Sequence, residues 1–512
     1  MKEYINELEA RKKKALELGG QAKVQRQHEL KRGTARERIE QLADQGTFLE
    51  LGMLNHALIP EMEDRTYGDG IIGGLAEVDG RPVVVISADK TVLSATEGEA
   101  HIRKLDALHD YAIRRRFPLI GLNEGGGLRI PYGMGSIGIS ENLFPLNMPK
   151  HNREVPSLTG IMGDSFGGPT WSAVTADINI QVKGTCMAVS GPRMLELATS
   201  EIISEEELGG WKVHAEKTGQ ADRLAEDDAD CIEQIRRCLA FLPSSADEEP
   251  PYKKTDDVPD RRLDQVLDIV PERMNRAYDM KKVVRAIADD GVFLELKEFY
   301  GKALITGLIR LNGRVAGIIA NQPMHNAGAS GPDEADKATD FICFCDSYNI
   351  PLVFLHDTPG FLVGSYAEHR KMPTKIMVWL QALVWSTVPK ISVVIRKSIG
   401  ASYANMCGPG MGADFIVAWP QAHISFTGDE VGVNVVYGRQ LAQSEDPAGK
   451  RAELLKQWRY ENGPYPAASK HLLDDVIDPR DTRKFLCRTL DYACMKKGSI
   501  SQRHLANWPT GF

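Results

Sequence analysis

The chain lacks most of the features that assign a protein at sight. Its eight cysteines (Cys186, Cys231, Cys238, Cys343, Cys345, Cys407, Cys487 and Cys494) form no Cys-x-x-Cys pair and no zinc-ligand spacing, so no metal site is expected. They read as small buried hydrophobes in a reducing compartment. No apolar run reaches the roughly 18 residues that a membrane span requires. Charge of one sign is not in excess in the basic direction: the net charge is -8, which argues against a nucleic-acid binder. A local basic patch for a phosphorylated ligand stays compatible with that balance. Met1-Lys2-Glu3-Tyr4 leads into a charged helix, not an apolar signal, and Glu3, Glu7 and Glu9 disfavour a transit peptide, so a cytoplasmic location is expected.

Catalytic signatures are also missing. There is no Gly-x-Ser-x-Gly elbow, His-Glu-x-x-His helix, Walker loop or dinucleotide fingerprint. Glu124, Asp357, His214 and His356 are the candidate acid–base groups, but each reads better as a hydrogen-bonding or surface residue. Glu205-Glu206-Glu207 and Lys371 read as solvated charges. What is left is a site whose chemistry is done by backbone amides and by something the chain does not contain.

What is present is a repeat. The 512 residues, 42% hydrophobic and 26% charged, are too many for one ordinary core and imply two domains or more. Residues 1–31 alternate basic with acidic residues and predict a solvated helix or one lying across a partner subunit. Thr34 and Glu37 sit at capping-box spacing ahead of Ile39 and Leu42. From Phe48 onward, short β-rich runs, a helix over 101–115 and the strand Phe117–Leu122 predict a mostly parallel sheet covered by helices. Around 242–260, proline and charge without apolar periodicity mark a boundary, giving domains 1–250 and 251–512. Beyond it the first half recurs. Ala43-Asp44 returns as Ala288-Asp289, Asp79-Gly80-Arg81 as Asn312-Gly313-Arg314, and Pro118-Leu119 as Pro351-Leu352. Ala176-Asp177 returns as Ala413-Asp414, and Ser190-Gly191 as Thr427-Gly428. The offset is 245 at the first match, holds at 233 through the middle of each half and is 237 in the last two matches. The chain is an internal duplication of one α/β domain.

The repeat includes two strand–turn–helix junctions. Ile161 to Pro169 (Ile-Met-Gly-Asp-Ser-Phe-Gly-Gly-Pro) is echoed by Val394 to Ser402, 233 positions on. At such a junction the first helical N–H groups have no intrahelical partner and can face an anionic oxygen. Pro169 has no N–H, so the expected donors at the first junction are Gly167 and Gly168. At the second they are Ala401 and Ser402, or Gly400 and Ala401. Fixed amide pairs of this kind stabilise an enolate or tetrahedral oxyanion by roughly 3–4 kcal/mol per donor. A second echoed feature, Glu124-Gly125-Gly126-Gly127 against Asp357-Thr358-Pro359-Gly360, puts glycine-bearing turns at strand carboxyl ends, where α/β sheets bind ligands.

These motifs identify a resemblance. Arg32-Gly33-Thr34-Ala35-Arg36-Glu37, Gly126-Gly127-Leu128-Arg129-Ile130, Glu206-Glu207-Leu208-Gly209-Gly210 with His214, Asn321-Gln322-Pro323, Asp357-Thr358-Pro359-Gly360-Phe361 and Asp474-Asp475-Val476-Ile477-Asp478-Pro479 are similar to the carboxyltransferase (β) subunits of biotin-dependent acyl-CoA carboxylases. The propionyl-, acetyl- and methylcrotonyl-CoA enzymes belong to that family, and the similarity runs over nearly the whole chain. The resemblance implies two tandem crotonase-like ββα-superhelix domains, the first serving acyl-CoA and the second biotin. It also implies a hexamer, a dimer of trimers, with each active site between domains of two subunits. One amide pair (Gly167, Gly168) would hold the thioester enolate oxygen and the other (Gly400, Ala401, Ser402) the biotin ureido oxygen, with the biotin nitrogen as base. Gly126, Gly127, Arg129, Phe166 and Ala404 carry over as substrate-binding residues. No Met-Lys-Met occurs, so biotin would reside on a separate carrier, and a biotin carboxylase and its carrier subunit are implied partners.

The chain departs from the family at named places. Propionyl-type enzymes have Gly-Gly-Ala-Tyr-Asp where this chain has Gly400-Ala401-Ser402-Tyr403-Ala404. The usual Gly-Ile-x-Arg-His-Gly run is replaced by His369-Arg370-Lys371-Met372-Pro373-Thr374. Residues 131–157 are unusual, and Phe166, Pro169 and Trp171 put bulk beside the first pair. The leading expectation is carboxyl transfer from carboxybiotin to an acyl-CoA at its α- or vinylogous γ-carbon. The alternatives are decarboxylation of a dicarboxylic acyl-CoA at the same site and a non-catalytic scaffold subunit.

Overall fold

The protein is described from a computed structural model covering residues 1–130, 133–141 and 152–495. Two helices, α1 (Lys2–Ala15) and α2 (Gln21–Glu29), form the charged N-terminal stretch. The third, α3 (Ala35–Leu42), starts in the capping box read from the sequence: the Thr34 N–H donates to Glu37 Oε2 at 2.7 Å and the Glu37 N–H to Thr34 Oγ1 at 3.3 Å.

The first sheet contains β1 (Leu49–Glu50), β2 (Ile71–Val78), β3 (Arg81–Ala88), β4 (Leu119–Gly125), β5 (Ser157–Phe166), β6 (Ile178–Val182), β7 (Met187–Ala188) and β8 (Arg223–Ala225). Its order is β1-β2-β3-β4-β5-β6-β8, with β7 also pairing β5. The first two pairings are antiparallel and the rest parallel. Between β3 and β4 runs α4 (Glu99–Arg115), whose Leu105, Leu108 and Ala112 pack on Ile71, Val84 and Ile86. That apolar face holds the helix to the sheet, each buried large side chain contributing about 1.5–3 kcal/mol.

The second sheet repeats the plan with β9 (Phe293–Leu296), β10 (Leu304–Leu311), β11 (Arg314–Asn321), β12 (Leu352–Thr358), β13 (Lys390–Ile399), β14 (Phe415–Ala418), β15 (His423–Ser425) and β16 (Asp475–Val476). Its order is β16-β14-β13-β12-β11-β10-β9, with β15 pairing β13 as β7 pairs β5. By contacts the chain divides into two compact units. The first comprises Met1–Tyr252, Leu294–Leu308 and Gly331–Ile350, and the second Lys253–Phe293, Ile309–Ser330 and Pro351–Phe512.

The echoed residues have structural reasons. Asp44 accepts the N–H groups of Asp79 (3.1 Å) and Gly80 (2.7 Å), closing the β2–β3 turn. Asp289 does the same for Asn312 (3.0 Å) and Gly313 (2.7 Å). Asp177 accepts from the Ser157 N–H and Asp414 from the Lys390 N–H, each at 2.9 Å, pinning the starts of β5 and β13. A β-bulge is duplicated too. Asn123 pairs with Ile161 but Gly125 with Ser165, and likewise His356 with Val394 but Thr358 with Ser398. Two residues of one strand thus span four of the next, and such a bulge bends the strand that carries the extra residues.

Candidate active site

Both junctions are built the same way. Gly167 and Gly400 each have φ +68°, a left-handed conformation that glycine adopts without strain and that turns β5 into α5 (Gly168–Val174) and β13 into α6 (Ser402–Asn405). The hydrogen bonds sort the expected donors. The Gly167 N–H is directed to Ala188 O at 3.3 Å and the Gly400 N–H to Ser425 O at 2.8 Å. These two amides continue the β5–β7 and β13–β15 pairings and are not free, which corrects the expectation for Gly167 and Gly400. Among the described residues the Gly168, Ala401 and Ser402 amides have no acceptor. The first junction therefore presents one free N–H, followed by Pro169, and the second presents two. Ser402 Oγ is turned inward onto Ile399 O at 2.8 Å.

In front of the first junction lies a cavity of about 770 Å³. Gly126, Gly127, Phe166, Gly167 and Gly168, all expected from sequence, line it. Gly127 (φ +73°) lets the turn after β4 approach β5: a Cβ there would stand 2.7 Å from Phe166 O. Arg129 is not a lining residue, contrary to expectation. It is buried, donates to Asp69 Oδ1 and to Thr96 O at 2.6 Å each, and ties the loop down from behind. Ala404 lies in α6, in the second unit.

The acid–base candidates read from the sequence are structural. Glu124 pairs with the fully buried Arg38 at 2.5 Å, and Asp357 with the fully buried Arg396 at 2.8 Å. His214 is held by Met187 O at 2.6 Å, and burial pushes His356 down to about 3, leaving it neutral. Glu206 and Glu207 lie on the exposed first turn of helix Glu205–Gly209. Glu205, expected to be a plain solvated charge, stands on the cavity wall with Arg193.

One residue escaped the sequence reading. Glu97 lines the same cavity, half-buried, with no ion-pair partner among the described residues. A Cβ built on Gly168 would collide with both of its carboxylate oxygens, so the acid occupies the space beside the free amide. Burial pushes its carboxyl up to about 7, because the charged form loses hydration without gaining a counter-ion.

A carboxyl transferase domain model matches residues 26–506 of the chain. The chain belongs to the carboxyl transferase family. A propionyl-CoA carboxylase carboxyltransferase subunit from Haloferax mediterranei is 36% identical over 99% of this chain and 99% of its own length. The α subunit of methylmalonyl-CoA decarboxylase from Propionigenium modestum is 33% identical, covering 99% and 98%. In three dimensions the chain resembles the transcarboxylase 12S subunit, solved as a hexamer with methylmalonyl-coenzyme A and methylmalonic acid bound. That likeness has a TM-score of 0.92 at 33% identity, covering 99% of this chain and 98% of the other. The α/β fold with its two sheets is the one the resemblance implied. Among the described residues of this carboxyltransferase, no His, Cys, Asp or Glu cluster could hold a metal ion, and no helix is long and apolar enough to cross a membrane. All eight cysteines are free thiols.

Proposed function

We propose that this carboxyltransferase moves a carboxyl group between carboxybiotin on a separate carrier protein and the α-carbon of an acyl-CoA. The observation that carries the reading is the acceptor-less Gly168 N–H at the wall of the 770 Å³ cavity. The acyl group lies against Leu105, Phe166 and Trp171, and the thioester oxygen meets that amide. Charge that develops on the oxygen as the α-proton leaves then meets a donor already in place, which needs no reorganisation. The Ala401 and Ser402 amides suit the ureido oxygen of biotin, since two fixed N–H groups match one oxygen that gains negative charge. Carboxybiotin supplies the carbon dioxide and the base for the α-proton.

Arg193, exposed at the cavity rim, is placed for a coenzyme A phosphate. Assembly of copies, as in the transcarboxylase 12S hexamer, is supported by the apolar face of helix Met372–Trp385, where Met377, Val384 and Trp385 are exposed.

The test is incubation with a carboxylated biotin carrier and a panel of CoA esters, read by mass spectrometry. A carboxylated CoA product, abolished by avidin, is expected. Turnover of no ester in either direction would end the proposal.

A further inference from the structure

Beside the Gly168 amide stands an acid that carrier-borne transfer does not require. The main chain of Glu97 is clamped to the glycine loop: its N–H donates to Gly127 O and its C=O accepts the Arg129 N–H, both at 2.8 Å. The second half makes the same clamp at the equivalent position, 233 residues on. There Ser330 donates to Gly360 O at 3.3 Å and accepts from the Leu362 N–H at 2.9 Å, and its side chain is fully buried, with no partner for Oγ among the described residues. The clamp is thus made by backbone alone and needs no acid. In the first half the side chain at that position enters the cavity, against the free amide.

We infer that Glu97 is the proton-transfer residue for the α-carbon of an acyl-CoA in this cavity, so that the protein forms and quenches the enolate without a biotin carrier. The inference rests on the cavity being the thioester site. The ionised carboxylate takes the α-proton. The C–H pair becomes the enolate π bond, the negative charge settles on the thioester oxygen facing Gly168, and Glu97 becomes the neutral acid. In the reverse step the acid returns a proton to carbon. With a 2-carboxyacyl-CoA, the bond to the carboxylate breaks, carbon dioxide leaves, and its electron pair forms the same enolate. Glu97 then protonates the α-carbon and regains its proton from water. A carboxyl that ionises near neutral pH serves both directions.

The experiment uses the intact protein in deuterated water, without carrier, with acetyl- or propionyl-CoA as probe. Deuterium uptake at the acyl group is followed by mass spectrometry, and binding separately by calorimetry. Exchange by the wild type is expected, unaffected by avidin. Glu97→Gln should lower it by about 100-fold or more while changing probe affinity less than about threefold, and Glu97→Asp should retain part of it. Gln keeps a hydrogen-bond donor but cannot exchange a proton, so this variant separates proton transfer from oxygen binding. If Glu97→Gln fails to fold, Glu97→Asp and the wild type carry the test. Binding without exchange in the wild type, or full exchange in Glu97→Gln, overturns the inference and leaves the site reading intact. Failure of every probe to bind overturns the site reading itself.

Discussion

At the first junction Gly168 is followed by Pro169, whereas at the second Ala401 is followed by Ser402. That change removes an N–H from one cradle and leaves it in the other. Around this difference the two copies are built alike: the same φ at Gly167 and Gly400, the same strand pairing of both amides, and the same bulge in the strand that leads into the junction. They diverge again at the clamp, where Glu97 reaches a cavity and Ser330 is sealed in the core. The duplicated parts are those that set backbone position, and the copies differ in the groups beside the free amides and at the clamp. A scaffold copied once can hold two oxyanions of different chemistry by exchanging only the groups beside the amide.

The largest effect should come from filling the space at Gly168. Valine there would drive its side chain into the Glu97 carboxylate and screen the one free amide, and a fall in kcat of about 10²–10³ is expected. At the second junction position 401 already carries a methyl group. Ala401→Gly should therefore change kcat less than about twofold, both being read in the carboxyl-transfer assay. Equal losses at the two positions would contradict the asymmetry.

The pH dependence of carrier-free exchange comes next. Proton abstraction needs ionised Glu97, so the rate should rise about tenfold per pH unit up to about 7 and level off above it. Arg193 and Glu205 line the same cavity, and Arg129 bonds Asp69 behind the loop; none of them offsets the burial that raises this acid. His101, beside Asp69, is pushed down to about 4 by burial and stays neutral over this range. Stability gives an independent reading. The folded acid holds its proton up to about 7 while the unfolded chain releases it near 4.5. The wild type thus loses stability between those values as pH rises. Glu97→Gln should melt higher than wild type at pH 8, and the gap should narrow as pH falls and close below about 4.5.

Making the first junction resemble the second is a smaller change. Pro169→Ser restores the missing N–H at the second helical position, where proline is tolerated only because its amide would be orphaned. A few-fold rise in kcat, with the KM for acyl-CoA little altered, is expected if a second donor reaches the enolate oxygen. Introducing proline at Ser402 should lower kcat by more than that.

The repeat was legible because the duplicated residues do fixed structural work: Asp44 and Asp289 close hairpins, Asp177 and Asp414 pin strand starts, and glycines allow φ +68°. The bulge was not legible, because it is a matter of pairing and needs no special residue. Gly167 looked like a donor because the pairing of β7 with β5 that consumes its amide depends on residues some twenty positions later. Arg129 carries over from the family motif as a substrate-binding residue, yet its partner Asp69 lies in a distant turn that no local motif announces. Glu97 belongs to no motif at all. Its one sequence signal was positional: the 233 offset sets it against Ser330, and an acid matched to a serine inside a faithful repeat marks a place where the copies part.

The smallest effect tests that last pairing. Ser330 is fully buried, and its Oγ has no hydrogen-bond partner among the described residues. An unsatisfied buried hydroxyl has lost its water without replacement, at roughly 1–3 kcal/mol. Removing it costs only a small volume in a tightly filled site, so Ser330→Ala should leave stability unchanged or raise it by up to about 1 kcal/mol in denaturant melts, with carboxyl transfer unaffected. A clear loss of either would mean that the serine hydroxyl meets a ligand or a second copy, and that the second clamp, like the first, points its side chain at chemistry.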